Sequence, residues 1–247
     1  MQKKSLGLAI FDFDGTIYGG ETFRLFLRVL SRDPARRGRI RWYYLTHAAG
    51  YALYKLGFCR LRLMTYATRG LARILRGMDE DELQAYFGRC LAEAVSRFNP
   101  AVLARLRAHA AAGDRIVLLS GAFEVFLGLV AREIGAGAWL GTPLVMRDGR
   151  CTGRIGAHCI GPAKAAALRA YLAGLGRAGE TYDLDRAYAY ADSLHDLPIL
   201  SLAGHAVAVN PDRGLLRKAQ ELGWEVLPPP EDQTCAKSGE TGPCERC

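Results

Sequence analysis

Short apolar runs alternate along the chain with longer segments of helical periodicity. "LGLAIFDF" (6–13) reads as a buried strand, because an uninterrupted run without a polar side chain, Leu6 to Phe11, precedes the first charge at Asp12. "RIVLLSGAF" (115–123), "AGAWLGT" (136–142), "RAYAYADS" (186–193), "HAVAVNPD" (205–212) and "WEVLP" (224–228) read the same way. Between them, "FNPAVLARLRAHAAAGD", "EVFLGLVAREIG", "GPAKAAALRAYLAGLG" and "GLLRKAQELG" carry helical spacing, with Pro162 in a first turn and glycines at the ends. "PLVMRDGRCTGRI" alternates around Asp148-Gly149, a hairpin signal. Strands alternating with helices predict an α/β fold: a doubly wound parallel sheet covered on both faces.

Residues 22 to 98 break that alternation. They are rich in Leu, Arg, Ala and Tyr, and "GMDEDEL" marks a helix start with acids in its first turn. The block is therefore expected to be an inserted all-helical cap, 21–98, with the sheet-bearing core formed by 1–20 and 99–227. The Pro/Gly-rich, polar tail 228–247 is expected to be disordered.

Composition adds three constraints. Half of the 247 residues are hydrophobic, enough for a sizeable core. The seven cysteines are odd in number and irregularly spaced, which excludes a disulfide framework. Cys59, Cys90, Cys151 and Cys159 are expected to be reduced thiols, and Cys235, Cys244 and Cys247 make a poor zinc set. The N-terminal apolar run is too short for a signal peptide, so a cytoplasmic protein is expected. The net charge of +8 is uneven: residues 22–98 hold 15 Arg/Lys against 6 Asp/Glu. An anionic substrate, an anionic membrane surface or nucleic acid would suit that segment. No nucleic-acid motif accompanies it, which places nucleic acid last.

Chemistry-bearing residues fall where strands end. Asp12 and Asp14 follow the first strand, Ser120 and Gly121 the second, and Asp192 and Asp196 "AYAYA"; Lys164 lies early in the preceding helix. Each has an ordinary alternative: Ser120 or Asp196 as a helix cap, Lys164 as a surface lysine. Together, in order and beyond the carboxyl ends of a parallel sheet, they mark a ligand site.

This pattern resembles the haloacid dehalogenase superfamily over residues 6 to 227. "FDFDGTIY" is similar to its first motif, "VLLSGAF" to its second, Lys164 to its third and "YADSLHDLPIL" to its fourth. The resemblance implies a Rossmann-like core and a phosphatase mechanism. Asp12 would be the nucleophile that forms an aspartyl-phosphate, and Asp14 the general acid and base. Mg²⁺ would be held by Asp12, the main-chain carbonyl of Asp14 and Asp192, with Asp196 in direct contact or behind them. Ser120, Gly121 and Lys164 would bind the phosphoryl oxygens.

The insertion point of the cap resembles the branch that contains phosphoserine phosphatases. The fourth motif departs from that branch: Ala191 and Ser193 replace its glycines and His195 its Asn, and Gly15 stands where Ser is usual. Glu21 sits near the position of a substrate-reading glutamate, and His195 is a second candidate for substrate contact. The long apolar-basic cap also resembles phosphatases that act on phosphatidylglycerophosphate. "RWYYLTHAAGYALYKLGF" has 13 uncharged residues between Arg41 and Lys55, too few to span a bilayer. It could lie in the interface, giving peripheral contact at the inner membrane face through 40–58. The competing role is a cap-core helix, with His47 a core or rim histidine. The expected substrate is a small phosphorylated metabolite, phosphoserine-like, or a lipid phosphate head. The alternatives are a non-catalytic or membrane-surface binding protein using the basic cap, and a phosphomutase.

Overall fold

The computed structural model describes residues 7–55 and 60–228. The expectations for Cys59, for residues 56–58 and for the tail with Cys235, Cys244 and Cys247 lie outside the described residues. In chain order the elements begin with β1 (Leu8–Phe11), α1 (Thr22–Ser31), α2 (Arg37–Lys55), α3 (Arg60–Ile74), α4 (Glu80–Ala94) and α5 (Pro100–Ala111). They continue with β2 (Arg115–Phe123), α6 (Glu124–Ile134), β3 (Ala138–Thr142), β4 (Leu144–Arg147), β5 (Arg150–Ile155) and α7 (Pro162–Arg177). Last come β6 (Tyr188–Ala191), α8 (Leu197–Leu200), β7 (His205–Val209), α9 (Arg213–Leu222) and β8 (Glu225–Leu227).

The main sheet has six strands in the order β3-β2-β1-β6-β7-β8, and every pairing is parallel. The chain builds outward from β1 on one side, then returns to place β6 on the other. The topological switch point therefore lies between β1 and β6, where a crevice opens beyond the strand ends. Alternation within β1 divides the core. Ala9 and Phe11 join a cluster on one face of the sheet, and Leu8 and Ile10 join one on the other. Phe11 stacks on Tyr190 of β6 at 4.4 Å, and the Asp12 N–H donates to the Tyr190 carbonyl at 2.9 Å.

Local signals explain the element starts. Asp79 caps α4 by accepting from the Glu82 N–H at 2.9 Å, and the Glu82 carboxylate accepts from the Asp79 N–H at 3.0 Å. Pro162 occupies the first turn of α7. Asp148 and Gly149 both take positive φ, at 50° and 70°, as the β4–β5 turn requires. Strand β2 runs on through Ser120 and Gly121 instead of ending before them, and its pairing with β3 is irregular between Leu119 and Phe123. The break re-aims these two residues at the carboxyl edge.

Four helices, α1 to α4, occupy the chain between β1 and α5. They pack as part of the body. Phe26 of α1 and Phe87 of α4 meet Phe123 and Phe126 in one aromatic cluster, with Phe26 and Phe126 at 5.0 Å. The β4–β5 hairpin, grouped with the core by chain position, hydrogen-bonds the α3–α4 connection: Gly77 N–H to the Cys151 carbonyl and Cys151 N–H to the Met78 carbonyl, both at 2.8 Å. Helices α2 and α3 are joined by rings. His47 stacks between Tyr43 at 4.0 Å and Tyr66 at 4.2 Å, and donates or accepts through Nδ1 to the Tyr43 carbonyl at 2.9 Å. A Cβ on Gly70 would fall 2.4 Å from His47 Nε2, so only glycine lets α3 approach so closely. His47 is thus a core histidine. Cys90, Cys151 and Cys159 are buried free thiols. Among the described residues, no helix is long and apolar enough to cross a membrane.

Candidate active site at the sheet switch point

Four of the residues singled out in the sequence meet at the crevice. Lys164, only 5% exposed, donates from Nζ to Asp12 Oδ1 at 2.8 Å and to Asp196 Oδ1 at 2.6 Å. Asp12, Asp192 and Asp196 bring carboxylate oxygens within 4.8 Å of one another. A surface lysine and a helix cap are both excluded: Lys164 is buried, and the Asp196 side chain makes no cap bond to α8.

Electrostatics show the tension in the cluster. Burial pushes Asp12 up to about 7, with Asp196 and Asp14 adding to the rise and Lys164 opposing it. Asp192 is lifted well above the usual carboxylate range by burial, then by Asp12 and Asp196. For Lys164, burial acts downward, but Asp12 and Asp196 overcome it and the ammonium is held charged.

Asp14 stands beside the cluster with its carboxylate turned to the start of α1. Its Oδ1 accepts from the Thr22 N–H at 2.9 Å and its Oδ2 from the Thr22 hydroxyl at 2.8 Å. Burial raises Asp14 to about 6, while the two Thr22 bonds pull it down. The Ser120 hydroxyl oxygen is buried and accepts from the Ala122 N–H at 3.3 Å. The Gly121 carbonyl accepts from the Thr142 hydroxyl at 2.8 Å, and a Cβ there would meet Ile160 Cγ2 at 2.7 Å. The other two candidates are peripheral in what they touch. Glu21, its side chain 56% exposed, pairs with Arg24 at 2.8 Å. His195 is half-buried and its N–H donates to the Ser193 hydroxyl at 3.2 Å.

Thr22, Asp212 and His158 support the site without a sequence signal strong enough to single them out, and the structure gives the reason for Gly15. Thr22 orients Asp14; its signal was a hydroxyl at a helix start eight residues after a carboxylate. Gly15 has φ of 73°, and a Cβ there would lie 2.0 Å from Asp192 Oδ2, which explains why serine is absent. Asp212 ties down the loop that carries Asp192: its N–H donates to the Asp192 carbonyl at 2.8 Å, and its Oδ2 accepts from Leu194 N–H and the Ser193 hydroxyl. His158 clasps α3 to the loop before α7, with Nδ1 2.9 Å from the Thr65 hydroxyl and Nε2 3.3 Å from that of Thr68. Burial, then Arg69, lowers His158 to about 4. A pocket lined by Thr22, Phe23, Phe26, Thr68, Leu71 and Gly121 to Phe123 separates the insertion from the sheet. It holds about 30 Å³, room for roughly two waters.

A parallel α/β sheet whose switch point gathers three carboxylates and a buried lysine places a polar cluster where such sheets form ligand crevices. The family follows from comparison. The haloacid dehalogenase-like hydrolase model matches residues 9–201, and the chain belongs to that family. A probable phosphatase of Mycobacterium tuberculosis is 41% identical over 122 residues, covering 49% of this chain and 41% of that protein. The chain thus matches about two fifths of that relative's length. A histidinol-phosphatase of Neisseria meningitidis serogroup C is 34% identical over 151 residues, 60% of this chain and 67% of that protein. Among solved structures, a protein of unknown function from Bordetella pertussis Tohama I superposes with a TM-score of 0.75 at 26% identity, covering 91% of this chain and 99% of that one. A substrate-bound phosphoserine phosphatase shares the fold, with a TM-score of 0.59 at 17% identity over 96% of this chain and 99% of that one.

Proposed function

We propose that this chain is a phosphomonoester hydrolase that works through a phosphorylated Asp12. The observation that carries the reading is the bond from Lys164 Nζ to both Asp12 and Asp196, beside Asp192 at the switch point. A buried lysine shared by two carboxylates keeps one of them charged and aimed. In the first step an Asp12 oxygen attacks phosphorus, the bond from phosphorus to the leaving alcohol breaks, and Asp14 gives that oxygen its proton. In the second step Asp14 takes a proton from water, whose oxygen attacks the same phosphorus. Inorganic phosphate leaves and Asp12 is regenerated. An Asp14 raised to about 6 suits both halves, because it gains and loses a proton near neutral pH. Thr22 keeps its carboxylate turned toward the site edge. Ser120, the Gly121 amide and Lys164 would hold the phosphoryl oxygens and stabilise charge during transfer.

The donor set fits a hard divalent cation such as Mg²⁺. Three carboxylates bring oxygens within 4.8 Å of one another, and only two of them meet the lysine. Asp12, Asp192 and the Asp14 main-chain carbonyl would hold the ion, with Asp196 in direct contact or hydrogen-bonded behind. Bound there, it would offset repulsion between the aspartates and an incoming phosphate. The segment 21–98 would serve as a cap, with 1–20 and 99–227 as the catalytic core. His158 joins α3 of that segment to the loop before α7, so a movement of the cap would have to break or carry these bonds.

The proposed substrate is a small phosphorylated metabolite, in keeping with a relative named histidinol-phosphatase. Glu21 and His195 are the candidates to read the remainder of the molecule. The test is phosphate release from phosphoserine, histidinol phosphate, nucleotides and phosphatidylglycerophosphate, with Mg²⁺, with EDTA, and with Asp12→Asn. Metal-dependent turnover lost in the variant is expected. Metal-independent release untouched by Asp12→Asn would sink the mechanism.

A further inference from the structure

The outer face of α2 is built the wrong way round for a helix facing water. At 100° per residue, Ile40, Tyr43 and His47 share the inward side, and all three are buried. Opposite them stand Leu45 and Arg41, with Trp42 and Tyr44 on the two flanks. Trp42 is 68% exposed and Leu45 74%. A solvated helix places charges there; this one presents the Trp42 indole and the Leu45 isobutyl group side by side, about 60° apart around the axis, with Arg41 next to Leu45.

Charge identifies what covers this face. Between Pro34 and Met78 the sequence has ten Arg/Lys and no Asp or Glu, while the remainder has 23 basic against 25 acidic residues. The whole positive excess of the protein therefore sits on α2, α3 and their connections. Arg37 and Arg41 lie exposed beside the apolar face, and Arg62 and Arg69 are exposed on α3. Basic side chains bordering exposed Trp and Leu match a bilayer interface, where the indole lies at headgroup depth and the guanidinium groups meet lipid phosphates.

We propose that α2 docks flat on an anionic lipid surface through Trp42 and Leu45, held electrostatically by the arginines around them. The inference does not depend on the phosphatase reading, because none of these residues touches the aspartate cluster. Docking needs no spanning segment. It leaves the opposite side of α3, which carries Thr65 and Thr68, against the loop before α7.

Co-sedimentation with vesicles tests the proposal. The full chain is mixed with vesicles of phosphatidylglycerol and phosphatidylcholine in equal parts, and with phosphatidylcholine alone. Binding is expected only to the first, and is expected to fall steeply as salt rises to about 0.5 M. The double variant Trp42→Glu/Leu45→Glu should lose at least about tenfold in partitioning while melting like the parent. Arg37→Gln/Arg41→Gln should lose about tenfold or more, since each basic group near an anionic surface contributes about 1 kcal/mol. Equal binding to both vesicle types, no binding to either, or anionic binding unchanged in Trp42→Glu/Leu45→Glu would each overturn it. So would tighter retention on duplex DNA than on anionic vesicles, which would make the patch a nucleic-acid surface.

Discussion

At the carboxyl edge of β1 and β6, the buried Lys164 bonds Asp12 and Asp196, with Asp192 beside them and Asp14 held by Thr22. On α2 and α3, basic residues meet no carboxylate of their own segment and stand largely in solvent. The two regions carry opposite unbalanced charge in opposite dielectric settings. Buried excess charge is costly, so it persists only where partners or a cation offset it. That makes the first region a place where charge is used within the site. Exposed excess charge costs little and reaches a Debye length into solvent, which suits recruitment of an anionic surface. The contrast assigns chemistry to the sheet and proposes recognition for the helices.

The strongest way to break the comparison is at Asp12, the proposed nucleophile. Asp12→Asn should retain the fold and lose at least about 10⁴-fold in kcat; residual turnover within tenfold of the parent would remove Asp12 from the chemistry. Lys164→Met comes next, and tests both stability and activity. It leaves Asp12 and Asp196 buried without their cation, and should cost about 3–5 kcal/mol in chemical denaturation of the metal-free protein. A change under about 1 kcal/mol would show that the carboxylates are adequately solvated without it.

Phe126→Ala probes the join between the regions rather than the site. Its ring lies against Phe13, Phe26 and Phe87, so removal should cost about 3–5 kcal/mol. Helices α1 and α4 should lose hydrogen-exchange protection together with β2. If only the insertion loosened, the two regions would be separate cooperative units.

A smaller effect is expected from pH. Asp12 is raised from an ordinary value near 3.8 to about 7, so the folded state binds more protons than the unfolded chain between those values. Stability from this group is present at low pH and is lost as pH rises through 7. His158 acts in the opposite sense, since its lowered value makes folding favourable above about 6.5 and less so as pH falls toward 4. Above pH 6.5 its contribution is constant. Asp14, raised to about 6, acts in the same sense as Asp12, so the metal-free protein should show a Tm that falls as pH rises from about 5 to about 7 and levels off above it, and Asp12→Asn should reduce that slope. A rising Tm over this window in the parent would contradict the assignment. The smallest effect belongs to the outer face: Trp42→Glu/Leu45→Glu should change unfolding free energy by no more than about 0.5 kcal/mol. A larger loss would mean that the two side chains pack, and that the face is not free for a lipid surface.

Much of the site was legible because its residues follow strands. Asp12, Asp192 and Asp196 each lie within five residues of an apolar run whose identity is unmistakable, and Lys164 follows a Pro-marked helix start. What could not be read was mutual support. Nothing local links Asp212 to Asp192, or Thr65 to His158, since each pair meets only after helices have packed. Gly15 could be noticed as a departure from serine, but its cause is the neighbouring Asp192 carboxylate. Chain order likewise separated the β4–β5 hairpin from the helices that it hydrogen-bonds.

By itself the sequence determined the alternation of strands and helices, the order of the sheet-end acids, the helical block and its concentration of positive charge. These are properties of nearest neighbours and of composition, and they survive in any conformation. The tertiary structure alone decided that Lys164 is shared between Asp12 and Asp196, that Asp14 faces Thr22, that His47 is sandwiched by tyrosines and that Trp42 and Leu45 are left outside. Burial and pairing depend on which distant segments come together, and β1 and β6 are brought side by side only by the crossover that makes the switch point.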